Sequence, residues 1–121
     1  MNKSERIIII DDQPFASDLL QLVLSSAGFT NVVAYSDPRK AFKDMIHSGR
    51  PALVITDQEM PDVSGIALLS QLSGFYPDIK GIIVTGNPDG IKDTAGRFPV
   101  VEKSGKDFGK RLVDCVKVVL G

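Results

Sequence analysis

The sequence predicts an α/β domain, a doubly wound parallel sheet of five strands covered by helices on both faces. Apolar runs rich in β-branched residues and without polar alternation occur at Ile7-Ile8-Ile9-Ile10, Leu53-Val54-Ile55, Ile82-Ile83-Val84 and Val100-Val101. Such runs are the pattern of strands buried on both faces. Segments of helical spacing alternate with them. The chain has 121 residues, 43% apolar and 24% charged, which is enough to bury one core and predicts a single domain over 1–121.

The first strand, Ile7 to Ile10, is followed by a helix with Pro14 at its start, Phe15, Leu19, Leu22 and Val23 as its apolar stripe, and Gly28 after its end. Val32-Val33-Ala34-Tyr35 supplies the second strand, with Asn31 as a turn residue ahead of it. The second helix opens at Asp37-Pro38, carries Ala41, Phe42, Met45 and Ile46, and stops at Gly49. The third helix runs from about Gly65 through Ile66, Leu69 and Leu72 to Gly74. The last runs from about Lys106 through Phe108, Leu112, Cys115, Val116 and Val119. Between the fourth and fifth strands, residues 86–97 hold three glycines and Pro88, which predicts a short or irregular fourth helix around Ile91 and Ala95. Right-handed crossovers through this alternation give a flavodoxin-like sheet of strand order 2-1-3-4-5.

Composition closes off several functions. A net charge of −1 argues against nucleic-acid binding driven by bulk charge. One cysteine, Cys115, and one histidine, His47, cannot make a disulfide framework or a Cys/His zinc site. Four isoleucines behind a charged start are too short for a membrane span or a secretory segment, so a cytoplasmic setting is expected. Cys115 reads as a small hydrophobe on the last helix, and His47 as a helix-end cation. Phe15, Phe42, Phe75 and Tyr76 read as core or helix-end packing.

In an open α/β sheet, ligands bind outside the carboxyl ends of the strands, where strand order reverses. Here the first strand ends in Asp11-Asp12, the third in Thr56-Asp57, the fourth in Thr85 and the fifth in Glu102-Lys103. Three carboxylates on one edge repel one another unless a cation sits among them. An all-oxygen donor set favours a hard cation such as Mg²⁺, which keeps sites open for phosphate oxygens. A carboxylate can then attack phosphorus to form an aspartyl-phosphate, with Lys103 and Mg²⁺ neutralising the phosphoryl charge and Thr85 donating a hydrogen bond to it. Such bonds can pull a loop between two arrangements. Read as bland features instead, the carboxylates would be turn or capping groups, Asp12 capping the first helix.

The motifs Ile-Ile-Asp11-Asp12, Asp57-Gln58-Glu59-Met60-Pro61-Asp62-Val63-Ser64-Gly65, Val84-Thr85-Gly86 and Val101-Glu102-Lys103 resemble those of the receiver domain of bacterial two-component response regulators. The resemblance spans nearly the whole chain. It implies Asp57 as phosphoacceptor, Mg²⁺ held by Asp11, Asp12, Asp57 and the backbone carbonyl of Glu59, Thr85 as switch hydroxyl, and Lys103 on the phosphoryl group. It also implies a phosphodonor, the phosphohistidine of a sensor histidine kinase or histidine phosphotransfer protein, and self-catalysed dephosphorylation by an in-line water. An output domain or effector protein would read the changed surface. By the same analogy, residues 95–103 and the last helix could form a dimer face after phosphorylation. Neither direct nucleic-acid binding nor membrane contact is expected.

Three departures bear on switching. Ser104 stands where relatives usually follow the lysine with a cis-proline. A non-prolyl cis bond costs roughly 3–4 kcal/mol, so either the peptide after Lys103 is trans and the loop differs, or the fold bears that strain. Val100 stands where relatives carry an aromatic, although Phe98 would project from the same face of a strand. Thr85 and Lys103 are 18 positions apart, short for a full fourth helix, which in relatives forms part of the output face. These departures keep open a degenerate receiver that binds a partner without phosphorylation. An aspartate-nucleophile phosphatase, the less favoured alternative, would need two acidic residues spaced by one and a lid, whereas Asp11 and Asp12 are adjacent and 121 residues leave no room for a lid; a nucleotide-binding module would need a glycine-rich turn, whereas Asp11-Asp12-Gln13-Pro14 follows the first strand.

Overall fold

The computed structural model describes residues 3–91 and 97–121. Five parallel strands form one sheet in the order β2-β1-β3-β4-β5, with β1 Ile7–Ile10, β2 Val32–Tyr35, β3 Leu53–Asp57, β4 Gly81–Thr85 and β5 Val100–Glu102. Helices α1 (Pro14–Ser26), α2 (Pro38–Ser48), α3 (Gly65–Phe75) and α4 (Phe108–Leu120) connect and flank them. This is the flavodoxin-like fold that the apolar runs predict.

The four isoleucines of β1 are all buried because the sheet is covered twice. Ile7 and Ile9 point into a core shared with Ile55, Val84, Leu20, Leu24, Leu112 and Val116. Ile8 and Ile10 point to the opposite face, into a core with Ala41, Met45, Leu69 and Leu72. Helices α1 and α4 therefore cover one face, and α2 and α3 the other. Full burial of each such aliphatic side chain contributes about 1.5–3 kcal/mol.

Local signals fix the helix ends. The Asp37 carboxylate accepts the Arg39 N–H at 3.0 Å, and Pro38 occupies the first turn of α2. Gly49, at φ 97°, ends that helix in a backbone region that a side chain would disfavour. Ser64 Oγ accepts the Ala67 N–H at 3.2 Å at the start of α3.

The predicted face of α1 is corrected. Phe15, Leu19 and Leu22 are 91%, 50% and 63% exposed, while Ser17, Leu20 and Leu24 are buried. The helix is apolar at most positions from 19 to 24, so two stripes compete, and the one that places Leu20 and Leu24 against β1 wins. Phe15 is thus solvent-facing rather than core. Phe75 is also exposed, stacked edge-on against Phe42 at 5.7 Å, and the Tyr76 hydroxyl donates to the Met45 carbonyl at 2.7 Å.

Of the segment predicted as a short or irregular fourth helix, a single 3₁₀ turn at Pro88–Gly90 is seen, and the part around Ala95 lies outside the described residues. Phe98 is buried on the same side of the sheet as Val100. Its ring lies near Gly81, which starts β4, whereas Thr85 ends that strand. Phe98 therefore packs at the opposite end of the sheet from the threonine.

Candidate functional site

The chain leaves β1 for one edge of the sheet, returns to β3, and continues toward the other edge, so the switch point lies between the carboxyl ends of β1 and β3. Asp11 follows β1 and Asp57 closes β3; they are 0% and 3% exposed. The Asp11 N–H donates to the Tyr35 carbonyl at 3.1 Å, extending the sheet pattern one residue past the strand. Asp12 follows on the rim. Asp11, Asp12 and Asp57 each offer a carboxylate oxygen within 4.8 Å of the other two.

Asp12 is not a helix cap. The residue at the start of α1 is Gln13, with no side-chain capping bond, and it is Asp11 Oδ1 that accepts the Gln13 N–H, at 2.9 Å. Asp11 Oδ2, Asp12 Oδ1 and Asp57 Oδ1 are buried, and of the described residues it is the Lys103 ammonium that approaches two of them. Lys103, one residue past β5, reaches in as a charge, its Nζ 2.7 Å from Asp57 Oδ1 and 3.7 Å from Asp11 Oδ2.

One ammonium does not balance this cluster. Burial pushes the Asp57 carboxyl above the ordinary carboxylate range, against the pull of Lys103 and with the added push of the Glu59 and Asp12 charges. Burial also raises Asp11, although the Gln13 N–H and Lys103 pull it down. For Lys103, burial acts to lower the pKa, but pairing with Asp57 and the nearby Asp11 and Glu59 charges outweigh it and raise the ammonium's. Buried oxygens with unspent acceptor capacity and excess negative charge fit a hard divalent cation such as Mg²⁺.

The neighbouring backbone is packed tightly around Asp57. A Cβ on Gly65 would lie 2.4 Å from the Asp57 carbonyl oxygen, so only glycine lets α3 start there. Gln58 Oε1 accepts the Ile66 N–H at 2.9 Å, tying the loop after β3 to the helix. Arg39 and Asp62, both exposed, pair at 2.9 Å across the same loop.

The loop after Lys103 has its own support. The Lys103–Ser104 peptide is trans, as are all those described. Arg111, from α4, donates to the carbonyls of Glu102 at 2.9 Å and Ser104 at 2.5 Å, one on either side of Lys103. The Lys103 N–H donates to the Thr85 carbonyl at 2.8 Å. Arg111 thus bridges the stretch in which relatives usually carry a proline.

Thr85, buried at the end of β4, does not aim its hydroxyl at an open site. It donates to the Glu59 carboxylate, with Oε1 at 2.6 Å and Oε2 at 2.9 Å, and accepts the Asn87 N–H at 3.0 Å. Sequence reasoning places Glu59 near the site but misses this bond and misses Arg111. A signal for the former exists: β3 and β4 pair in parallel with Asp57 opposite Val84, so the loops that follow them run side by side.

A family model described as the response regulator receiver domain matches residues 7–98. The chain belongs to that family. Among curated proteins, this receiver is 33% identical over 89 residues to the transcriptional regulatory protein FixJ of Bradyrhizobium diazoefficiens, covering 74% of this chain and 42% of that protein. It is 27% identical over 103 residues to a protein-glutamate methylesterase/protein-glutamine glutaminase of Sulfurimonas denitrificans, covering 85% of this chain and 28% of the relative. The chain thus spans less than half the length of these relatives. Among solved structures, the response regulator protein TrrA of Thermotoga maritima, in complex with Mg(2+)-BeF, superposes with TM-score 0.83 at 28% identity, covering 95% of this chain and 98% of that one. A receiver domain protein from Clostridium thermocellum shares the fold at TM-score 0.82 and 22% identity, covering 96% and 94%. Among the described residues, no helix is long and apolar enough to cross a membrane.

Proposed function

We propose that this receiver is phosphorylated on Asp57 in a Mg²⁺-dependent reaction with a phosphohistidine of a sensor histidine kinase or histidine phosphotransfer protein. The observation that carries this reading is the meeting of three carboxylates, two buried and one half-buried, with a single lysine paired to Asp57 at the switch point of the sheet. Asp11, Asp12 and Asp57, with the Glu59 backbone carbonyl, would hold Mg²⁺. The bound cation supplies neutralisation, both of the clustered carboxylates and of the phosphoryl oxygens. The likeness to a protein solved with Mg(2+)-BeF supports the same assignment.

The chemistry is one displacement at phosphorus. An Asp57 oxygen bonds to phosphorus as the histidine N–P bond breaks and the imidazole nitrogen takes the electron pair. Lys103 follows the developing charge from its place beside Asp57. The Thr85 hydroxyl turns to a phosphoryl oxygen, which moves the loop after β4 and changes the surface offered to an output domain or effector. Attack of water on phosphorus then releases phosphate and restores the carboxylate. We take residues 1–121 as one receiver domain whose own chemistry is acceptance and self-catalysed loss of the phosphoryl group.

One observation favours the second reading, a degenerate receiver: the Thr85 hydroxyl is already engaged by Glu59. Intact mass after incubation with acetyl phosphate and Mg²⁺ separates the two. The proposal expects one phosphoryl adduct that depends on Mg²⁺ and is absent from Asp57→Asn. A folded, Mg²⁺-binding protein that acquires no adduct supports the degenerate reading.

A further inference from the structure

We propose that Glu59 is a positioning residue that competes with the phosphoryl group for the Thr85 hydroxyl and so sets how readily the switch is thrown. The inference deepens the phosphoacceptor reading and rests on it. A threonine hydroxyl has one proton. In the structure that proton is given to the Glu59 carboxylate, at 2.6 Å and 2.9 Å from its two oxygens, a spacing at the strong, charge-assisted end of such bonds. While it is given there, it cannot be given to an acceptor on Asp57. The Asn87 N–H, donating to Thr85 Oγ1 at 3.0 Å, leaves the hydroxyl proton as the free choice and fixes the oxygen.

The two ends of this bond differ in freedom. Thr85 is 0% exposed at the end of a central strand, while Glu59 is exposed on the loop after β3. Glu59 also borders an open groove of about 340 Å³ with Met60, Ser64, Asn87 and Ile91. When Thr85 turns away, the Glu59 side chain therefore has room and water to receive it. A contact present in the resting arrangement and lost in the switched one biases the equilibrium toward rest by its own free energy. Glu59 thus makes phosphorylation work against a standing hydrogen bond.

A charge this near the site also repels a phosphoryl group through space, and a double-mutant cycle separates the two effects. Binding of beryllofluoride, a stable phosphoryl mimic, is titrated by amide NMR at saturating Mg²⁺ for wild type, Glu59→Gln, Thr85→Val and the double variant, with Mg²⁺ affinity measured separately. Breaking a hydrogen bond to a charged acceptor predicts that Glu59→Gln binds the mimic about tenfold more tightly than wild type. With valine at position 85 the gain should shrink to its smaller through-space part. Glu59→Ala should gain at least as much as Glu59→Gln, because a glutamine oxygen still accepts weakly.

No gain from Glu59→Gln or Glu59→Ala overturns the inference. An equal gain with threonine or valine at 85 also overturns it, because charge alone would then be acting. In either case wild-type binding of Mg²⁺ and the mimic leaves the phosphoacceptor reading standing. A wild type that binds neither removes that reading and this inference together.

Discussion

Replacing Asp57 by asparagine should make the metal-free domain more stable, because the charge at that position is poorly compensated. The nearest oxygens of Asp11 and Asp12 lie within 4.8 Å. At an effective dielectric of about 20, each such pair repels by about 3.5 kcal/mol, together about 7 kcal/mol. Lys103, at 2.7 Å, attracts by about 6 kcal/mol on the same scale. The pairwise terms nearly cancel. What is left is the loss of hydration of a carboxylate whose side chain is 4% exposed, several kcal/mol even after relaxation. Asparagine keeps the shape and part of the polar burial cost, so a net gain of about 2 kcal/mol is expected, roughly 8 °C in Tm for a domain of this size. Urea unfolding in EDTA at neutral pH measures it, with an unchanged m-value showing that compactness is unaltered. Saturating Mg²⁺ should reverse the order, because it stabilises the wild type by mass action and the variant less. Destabilisation of the variant in EDTA by more than about 1 kcal/mol would mean that the Lys103 pairing outweighs burial and repulsion, the opposite of the expected balance.

The same imbalance gives an unusual pH dependence. Asp11 and Asp57 both titrate above their ordinary value of 3.8, so the fold retains protons that the unfolded chain has released. Their contribution to stability is full below 3.8 and is lost as pH rises through the raised values. Thermal scans in EDTA should show this fall, and Asp11→Asn with Asp57→Asn should remove it. Gly65→Ala should cost about 1–3 kcal/mol in urea unfolding and weaken Mg²⁺ binding, because its Cβ meets the Asp57 carbonyl at 2.4 Å. Arg111→Lys replaces a fork by a point charge that cannot hold the carbonyls of Glu102 and Ser104 together. It should slow adduct formation from acetyl phosphate while leaving Mg²⁺ affinity within about twofold, and lower stability by about 1 kcal/mol.

Much of this architecture is legible in the chain because parallel strands advertise themselves. A run such as Ile7 to Ile10 has no polar alternation, so both its faces must be covered, and the residues that follow such runs must lie on one edge. Asp11, Asp12, Asp57, Thr85 and Lys103 follow from that topology alone. The facing of α1 does not, because Leu19, Leu20, Leu22, Val23 and Leu24 satisfy more than one helical stripe and only tertiary packing chooses. The topology brings the Glu59 loop beside the end of β4, but the Thr85–Glu59 bond itself and the Arg111 bridge are not read from the chain, for a different reason. The first joins the end of β4 to a loop 26 residues earlier, and the second joins α4 to carbonyls seven and nine residues back, so both depend on side-chain directions that the pattern of apolar residues does not encode. Ser104 shows the limit of motif reasoning: its departure from the usual residue is plain in the chain, but the support offered by Arg111 is not.

In the proposed reaction Asp57, rather than its neighbours, carries the phosphoryl group. Acyl phosphates are reduced to alcohols by borohydride, so treatment after incubation with acetyl phosphate and Mg²⁺ should convert the phosphorylated carboxylate to a hydroxyl, and peptide mass spectrometry locates it. Conversion is expected at Asp57 alone, and not when Mg²⁺ is chelated. Conversion at Asp11 or Asp12 instead, or adduct formation indifferent to Mg²⁺, would contradict that assignment.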